Sequence, residues 1–424
     1  MEGPLQITPE FSAILDELEN GDDHLFITGK AGTGKSTLLS TFRNMSQKNI
    51  IVLAPTGVAA LNVKGQTIHS FFRIPPKLIR SEDLKTKRGM AKLLKSVDII
   101  IIDEISMVRA DLFDHMDYLL RFYRKSEIPF GGVRLLMFGD LYQLPPVVAD
   151  KFEQQYFFSI YESPHFFSAK VFEKGFQMYL IELKHVFRQK DEAFINLLDR
   201  IRLKTFDEND LKALNDRHSD VVQWDDAITL TSTNYTADQI NTSKLRGISA
   251  PSKVYTAEQK GKIQPQNMQA EVILELKVGA QVMLIRNDTD GRYVNGSLAK
   301  VTELNEKDIK VRLIQESEDI KIKKSEWEVI KYKAEQDGQI KEEVVGSLKQ
   351  FPIRLAWAVT IHKSQGKTFD KVIIDLGRGA FEHGQAYVAL SRCKTLEGIA
   401  LKRTIKPSDI IIDEKIMDFY NAIK

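Results

Sequence analysis

The chain has 424 residues, 43% of them hydrophobic and 28% charged, which suffices for roughly two to four domains of about 100–200 residues each. Its 60 basic residues nearly balance its 58 acidic residues, and the net charge of +2 excludes a protein that coats nucleic acid through bulk charge. Any nucleic acid must therefore bind in a defined groove. The single cysteine, Cys393, excludes a disulfide framework and a cysteine-rich zinc site.

The sequence shows no membrane-spanning or targeting segment. No apolar stretch approaches the roughly 18 residues that a membrane-spanning helix needs, and the N-terminus has no basic segment followed by an apolar run. We therefore expect an intracellular protein of the cytoplasm or nucleoid, without a membrane partner.

Two series of short apolar runs predict buried parallel strands that alternate with helices. The first series is Leu25–Thr28, Ile50–Ala54, Ile99–Ile102 and Leu135–Phe138, and the second is Ala227–Thr231, Val372–Leu376 and Ile399–Leu401. The fold class is therefore α/β, with two α/β units and a seam near Phe176–Arg188. The segment from Pro251 to Gln350 differs, because its β-rich runs are separated by Gly, Asn and Asp and predict a small antiparallel barrel. The predicted domains are 1–180, then 181–250 with 351–424, and an insertion at 251–350.

A phosphate-binding loop follows the first predicted strand. Residues 29–36 read GKAGTGKS and fit G-x-x-x-x-G-K-[ST], with a helix predicted to begin at Ser36. Backbone amides of such a loop surround an anion at the positive end of the helix. We expect Lys35 to contact the β- and γ-phosphates of ATP and Ser36 to hold Mg²⁺. The predicted nucleotide contacts in this loop are Gly29, Gly32, Thr33, Gly34, Lys35, Ser36 and Thr37.

Polar side chains also follow the third and fourth buried strands of this series. Asp103 and Glu104 come directly after Ile99–Ile102, which places them at the edge of a parallel sheet where ligands bind. Asp103 is predicted to bind Mg²⁺ and Glu104 to activate the attacking water. Gln143 follows the strand after that and is predicted to sense the γ-phosphate, the alternative being a proline-stiffened loop with a solvated amide.

Phosphate hydrolysis of this kind also needs positive charge in the transition state. Arg188 and Arg392 are candidates in the second α/β unit, although most arginines are ordinary surface residues.

These motifs together resemble superfamily-one helicases of subgroup B (RecD-like), and closely the Pif-one (petite integration frequency) family of DNA helicases. The similar segments are APTGVAA at 54–60, GQTIHSFF at 65–72, FGDLYQLPPV at 138–147, LKHVFRQ at 183–189, LAWAVTIHKSQGKT at 355–368 and YVALSR at 387–392. AQVML at 280–284 and VNGS at 294–297 are similar to the start of the family's inserted SH3-like barrel.

The resemblance implies two RecA-like domains and an ATP-dependent DNA helicase that moves 5′ to 3′ along single-stranded DNA. The implied cofactors are ATP and Mg²⁺, and the implied partners are single-stranded DNA and forked or structured DNA. G-quadruplexes and R-loops are implied substrates, and genome maintenance, DNA repair, recombination and telomere maintenance are implied roles. We expect a monomer in the free state. An RNA helicase of the same superfamily and a nucleic-acid-dependent ATPase switch remain alternatives.

The resemblance also assigns residues. Arg188 and Arg392 stand at the two arginine-finger positions, and Gly366 joins the nucleotide contacts. The family's adenine-reading Gln is replaced by Phe11, with Gln6 nearby. The predicted DNA contacts are Pro55, Thr56, His69, Ser70 and Phe71, with Thr360, His362, Lys363 and Ser364. Phe71 and Phe72 have an alternative role in the core. Pro75 and Pro76 are the candidate wedge, or else a rigid connector.

Overall fold

The computed structural model describes residues 9–74, 79, 90–148, 151–189, 191–219, 224, 226–261, 263, 268–288, 290–314, 316–335 and 339–423. The chain divides into two compact units. The first contains Met1–Val186, Val329–Val345 and Asp413–Lys424, and the second contains Phe187–Glu328 and Gly346–Ile412.

The first unit is built on a parallel sheet. Its helices up to residue 186 are α1 Pro9–Asn20, α2 Lys35–Met45, α3 Gly57–Asn62, α4 Ile68–Phe72, α5 Ala91–Ser96, α6 Ala110–Arg124 and α7 Lys151–Phe158. Its strands are β1 Leu25–Gly29, β2 Ile50–Ala54, β3 Gln66–Thr67, β4 Ile99–Ile102, β5 Arg134–Phe138 and β6 Tyr179–Leu183. Within the described residues these strands form one six-stranded sheet in the order β3-β2-β4-β5-β1-β6, and all neighbours are parallel.

Both faces of this sheet are covered, which explains why its strands are continuous apolar runs. Ile27 of β1 packs in one cluster with Leu18 of α1 and Phe42 of α2. Alternate side chains of a strand point to opposite faces. Phe26 accordingly lies on the other face, where it packs against Phe166 in a group of buried aromatic rings.

The second unit contains a second parallel sheet and an antiparallel region. Its helices are α8 Glu192–Leu203, α9 Glu208–Asn215, α10 Asn234–Arg246, α11 Ile361–Ser364 and α12 Gln385–Leu390. The strands from residue 228 onward are β7 Ile228–Thr231, β8 Ser252–Thr256, β9 Glu258–Gly261, β10 Ile273–Lys277, β11 Gln281–Leu284, β12 Leu298–Leu304, β13 Asp308–Leu313, β14 Asp319–Lys323, β15 Ser325–Ala334, β16 Ile340–Gln350, β17 Ile353–Leu355, β18 Ala358–Thr360, β19 Val372–Asp375 and β20 Ile399–Leu401. Parts of β15 and β16 belong to the 329–345 segment of the first unit.

The predicted α/β class is confirmed by the parallel sheet of each unit. In the described part of the second unit, the parallel sheet has the order β18-β7-β19-β20. An antiparallel sheet in the order β14-β13-β12-β11-β17, with Val282, Val301 and Phe351 in its core, lies mostly in the predicted insertion. Phe351 and β17 lie beyond the predicted end of the insertion at residue 350. The remaining described pairings are β10-β8 and β15-β16-β9. The SH3-like barrel itself stays a prediction.

The structure differs from the predicted domain boundaries in two further places. Helix α13, Glu414–Ala422, was predicted to belong with the second α/β unit but packs in the first, where Phe419 stacks on Phe167 with ring centroids 4.3 Å apart. Residues 329–345 also pack in the first unit, where the ring of Tyr332 meets Phe71 edge to face. Both segments are far in sequence from the residues they contact, so local sequence patterns could not place them.

No helix among the described residues combines the length and apolar character that crossing a membrane requires.

The group of buried aromatic rings around Phe166 allows a prediction about stability. Phe113 of α6 is fully buried and meets Phe130, Phe166 and Phe176 at centroid distances of 4.9, 5.4 and 5.9 Å. We expect Phe113→Ala to lower the free energy of unfolding by about 3–5 kcal/mol, because it leaves a cavity in the core. Urea denaturation followed by circular dichroism measures the change.

The matched control is Phe122→Ala on the same helix, where the side chain is 51% exposed. This variant is expected to lose less than about 1 kcal/mol. Equal losses in the two variants would contradict the assignment of Phe113 to the core.

Candidate nucleotide and nucleic-acid sites

Three loops identified in the sequence meet at one edge of the first sheet. They follow β1, β4 and β5, and parallel strands that are neighbours end at the same edge. The order of the sheet places β5 between β1 and β4. A methyl group added at Gly139, after β5, would lie 2.9 Å from the side chain of Ile105, which follows the acidic pair. The loops after β4 and β5 are therefore in contact.

The phosphate loop has the backbone geometry that its sequence predicts. Gly29 approaches the β6 backbone so closely that a Cβ there would lie 2.7 Å from the carbonyl oxygen of Leu183. Gly34 has a φ of 85° immediately before α2, a conformation that favours glycine. The Nζ of Lys35 donates hydrogen bonds to the carbonyl oxygens of Gly29 at 2.6 Å and Lys30 at 3.0 Å. The lysine ammonium thus lies over the loop that would surround a phosphate.

The acidic pair lies beside this loop. Asp103 is buried, and burial, followed by repulsion from the Glu104 carboxylate, raises its pKa, while the Lys35 ammonium lowers it. Glu104 has a φ of 52°, an uncommon left-handed conformation for a residue with a side chain. Strained backbone of this kind is concentrated at functional sites.

The donor atoms at this edge are of the type that Mg²⁺ prefers. The Ser36 side chain is exposed at the start of α2, and Asp103 supplies a carboxylate whose charged form is destabilised by burial. Mg²⁺ prefers oxygen ligands such as the Ser36 hydroxyl, and a bound cation would stabilise the charged form of the Asp103 carboxylate. These residues fit a magnesium ion, and the metal site remains a prediction.

The Gln143 loop is held by Asp140. One carboxylate oxygen of Asp140 accepts the backbone N–H of Tyr142 at 3.2 Å, and the other accepts the Nε2 of Gln143 at 3.3 Å. Asp140 is fully buried and Gln143 is 6% exposed. The alternative of a solvated amide is therefore wrong, because this amide is buried and hydrogen-bonded.

The two candidate arginines lie together in the second unit. Arg392 is 1% exposed, and its Nε donates to the carbonyl of Val388 at 2.9 Å and its Nη2 to the Ser391 Oγ at 2.8 Å. Arg188 donates to the Ser391 carbonyl oxygen at 3.3 Å, and burial lowers its pKa. Arg392 is thus no surface arginine, although the finger roles remain predictions. Gln189 was not among the residues predicted from the sequence, although it ends the similar segment at 183–189. Its buried amide donates to the Ser391 and Cys393 carbonyl oxygens.

The predicted DNA contacts share a local design in both units. Thr56 follows β2 and accepts the N–H of Ala59, and Thr360 ends β18 and accepts the N–H of Lys363, both at 3.2 Å. Each hydroxyl caps the first turn of a short helix. Thr67 was not predicted as a site residue, but its hydroxyl caps α4 in the same way by accepting the N–H of Ser70. Pro55 lies between β2 and Thr56. Ser70 and Lys363 are exposed beside these caps.

The two predicted histidines have different surroundings. Burial, followed by the nearby Arg109 guanidinium, lowers the pKa of His69, which favours the neutral imidazole. In the second unit, the Nε2 of His362 lies 3.1 Å from a carboxylate oxygen of Glu382.

Two predicted DNA contacts require correction. Phe71 and Phe72 are 5% and 1% exposed and pack edge to face, so the alternative role in the core is the one that the structure supports. The Ser364 side chain is fully buried and donates to the Ile361 carbonyl at 2.7 Å, which removes its hydroxyl from the surface. Gln6, Pro75 and Pro76 lie outside the described residues, whereas Gly366 is exposed after α11.

Comparison with known proteins decides the family. The family model for PIF1-like helicase matches residues 6–212, and that for the DNA helicase Pif1 2B domain matches residues 262–304. The ATP-dependent DNA helicase Pif1 of Bdellovibrio bacteriovorus is 33% identical over 99% of this chain and 93% of its own length. The chain belongs to the PIF1-like helicase family. The predicted family is thereby confirmed, and the relative that shows it is named an ATP-dependent DNA helicase.

Other members of the PIF1-like family agree. The Danio rerio ATP-dependent DNA helicase PIF1 is 34% identical over 99% of this chain, which spans 64% of that protein's length. The crystal structure of Bacteroides sp Pif1 in complex with ADP-AlF4 is 39% identical, covers 99% of this chain and 97% of its own, and has a TM-score of 0.92. Bacteroides Pif1 bound to ssDNA has the same identity and coverage and a TM-score of 0.71. Membership of this family implies the use of a nucleotide.

Lys35 provides a test of the nucleotide site. We expect Lys35→Ala to weaken nucleotide binding about tenfold or more, because a hydrogen bond to a charged group contributes about 1.5–3 kcal/mol. Titration with a fluorescent ATP analogue measures the affinity. Lys92→Ala, which removes an exposed lysine of α5, is the control and should bind as the wild type does. Equal affinity in Lys35→Ala would place the phosphates elsewhere.

Proposed function

We propose that this protein is an ATP-dependent helicase that moves 5′ to 3′ on single-stranded DNA and unwinds the duplex ahead of it. The observation that carries the proposal is the meeting of the phosphate loop, the acidic pair and Gln143 at one sheet edge. Its relatives are named ATP-dependent DNA helicases, and its structural neighbours include complexes with ADP-AlF4 and with ssDNA. The polarity rests on the resemblance of its motifs to the Pif-one family.

In the proposed reaction, Lys35 exchanges its hydrogen bonds with the loop carbonyls for the β- and γ-phosphate oxygens of ATP. Glu104 accepts a proton from the attacking water, and Gln143 orients that water against the γ-phosphate. Ser36 and Asp103 would hold Mg²⁺, which when bound supplies positive charge to the phosphate oxygens.

Arg188 and Arg392 are proposed to add positive charge while the γ-phosphoryl group is transferred from ADP to the attacking water. They belong to the second unit and share Ser391 as a hydrogen-bond partner, so a movement of that residue affects both. Because they lie on a different unit from the phosphate loop, their participation would link hydrolysis to motion along the strand.

The proposed DNA contacts are suited to phosphates rather than to bases. Thr56 and Thr360 position the backbone amides of two short helices, α3 and α11. Lys363 is exposed on α11 and Ser70 is exposed on α4. Hydroxyls, amides and lysines hold a strand without reading its sequence. The net charge of +2 suits few phosphate contacts and a moderate dependence of affinity on salt.

Forked DNA, G-quadruplexes and R-loops are proposed substrates, a monomer is the proposed free state, and repair, recombination and telomere maintenance are the proposed roles. All of these rest on the family resemblance.

Glu104→Gln tests the proposed base. The substitution keeps the shape of the side chain but removes its ability to accept a proton, so ATP hydrolysis should fall by about 10²–10⁴-fold. Binding of nucleotide and of single-stranded DNA should stay near wild type. Phosphate release assays and fluorescence anisotropy measure the two properties.

The control is Glu127→Gln, whose side chain is 99% exposed in the same unit. It should hydrolyse ATP at the wild-type rate. Undiminished hydrolysis in Glu104→Gln would assign the base to another residue.

The function and its polarity are tested by strand displacement on matched duplexes with a 5′ or a 3′ single-stranded tail. We expect ATP-dependent displacement of the 5′-tailed DNA alone, and none by Lys35→Ala. Preference for the 3′ tail would overturn the polarity. Efficient displacement with an RNA tail in place of DNA would favour the RNA helicase, and stimulated hydrolysis without displacement of any duplex would favour the ATPase switch.

A further inference from the structure

The C-terminal helix places one tyrosine against two of the loops at the nucleotide site. Tyr420 of α13 is 7% exposed. Its hydroxyl lies 3.0 Å from the Thr28 Oγ1, and its ring stacks on Tyr142 with centroids 5.4 Å apart and planes 3° apart. Thr28 directly precedes the first glycine of the phosphate loop, and Tyr142 directly precedes Gln143.

These contacts add a restraint from outside the Gln143 loop to the bonds formed within it. Asp140 holds the backbone of Tyr142 and the amide of Gln143 from within the loop. The aromatic ring of Tyr142 is held from outside, by Tyr420. Since Tyr420 also bonds the end of β1, it relates the position of the Gln143 loop to that of the phosphate loop.

Helix α13 is anchored by residues other than Tyr420. Phe419 stacks on Phe167 with planes 11° apart, and the Asp413 carboxylate lies 3.0 Å from the His165 Nε2. The position of the helix on the first unit therefore does not depend on Tyr420 alone.

If Tyr420 only filled space in the core, its hydroxyl group would not be needed. Filling the space between Phe26 and Tyr142 needs only an apolar ring, whereas a buried hydroxyl needs a hydrogen-bond partner. The hydroxyl of Tyr420 has this partner in Thr28, which is itself 1% exposed at the end of β1.

We propose that Tyr420 is a positioning residue for ATP hydrolysis, which sets the place of Gln143 relative to the phosphate loop through Tyr142 and Thr28. The inference rests on the proposed function, because it requires hydrolysis at this loop. Tyr420 touches neither nucleotide nor water in this role. Its loss therefore affects the rate of the chemical step rather than the binding of nucleotide.

The test uses Tyr420→Leu and Tyr420→Phe in the full chain, with kcat and KM for ATP measured on saturating single-stranded DNA. We expect Tyr420→Leu to lower kcat by about 10–100-fold, since a misplacement of about 1 Å has effects of this size. The KM for ATP should change less than about threefold, because the Lys35 loop is intact. Tyr420→Phe keeps the ring on Tyr142 but loses the hydrogen bond to Thr28, so its kcat should lie between those of Tyr420→Leu and the wild type.

Two further variants separate positioning from stability. Met417→Ala changes an exposed residue of the same helix, 44% accessible, and should leave kcat and KM unchanged. Tyr142→Leu should lower kcat as Tyr420→Leu does, and the double variant should be no slower than either single variant, because coupled contacts are not additive. Thermal unfolding of each variant establishes that the assay temperature lies well below its Tm.

The outcomes are distinct. Wild-type kcat in Tyr420→Leu, additive losses in the double variant, or a kcat loss that disappears at lower temperature would each overturn the positioning role alone. A wild-type chain without ATPase activity would overturn the proposed function and this role together.

Discussion

The parallel arrangement of the first sheet is the constraint on which the rest of the site depends. Strands buried on both faces must end at common edges, so segments far apart in the chain deliver their polar residues to one place. The order β4-β5-β1 places Gln143 between the acidic pair and Lys35. A γ-phosphate bound at the loop would therefore have a lysine on one side and Glu104 on the other, with the amide between them.

Burial at this edge has an electrostatic consequence. Asp103 is buried beside a second carboxylate, and both effects raise its pKa, whereas a backbone hydrogen bond from Glu104 and the nearby Lys35 ammonium lower it. Lys35 supplies positive charge beside this carboxylate, and a divalent cation would supply more. A bound cation would thus offset the effect of burial on Asp103, and the neighbouring Glu104 has a left-handed backbone conformation.

Residues distant in sequence converge in both units. Arg188 and Arg392 meet at Ser391, although one precedes α8 and the other follows α12. Tyr420 returns from the last helix to the end of the first strand. Within each unit, such contacts join segments that lie far apart in the chain.

The sequence by itself determined the phosphate loop, the acidic pair, the α/β class and the family, because these depend on local order: a motif of eight residues, or a run of apolar residues long enough for a buried strand. Only the tertiary structure decided which side chains are buried. Phe71 and Ser364 have the chemistry of DNA contacts but lie in the interior, Arg392 is enclosed by its own unit, and α13 packs on the first unit rather than the second. The physical reason is that burial depends on neighbours supplied by remote segments, and no local pattern of residues records which segments those will be.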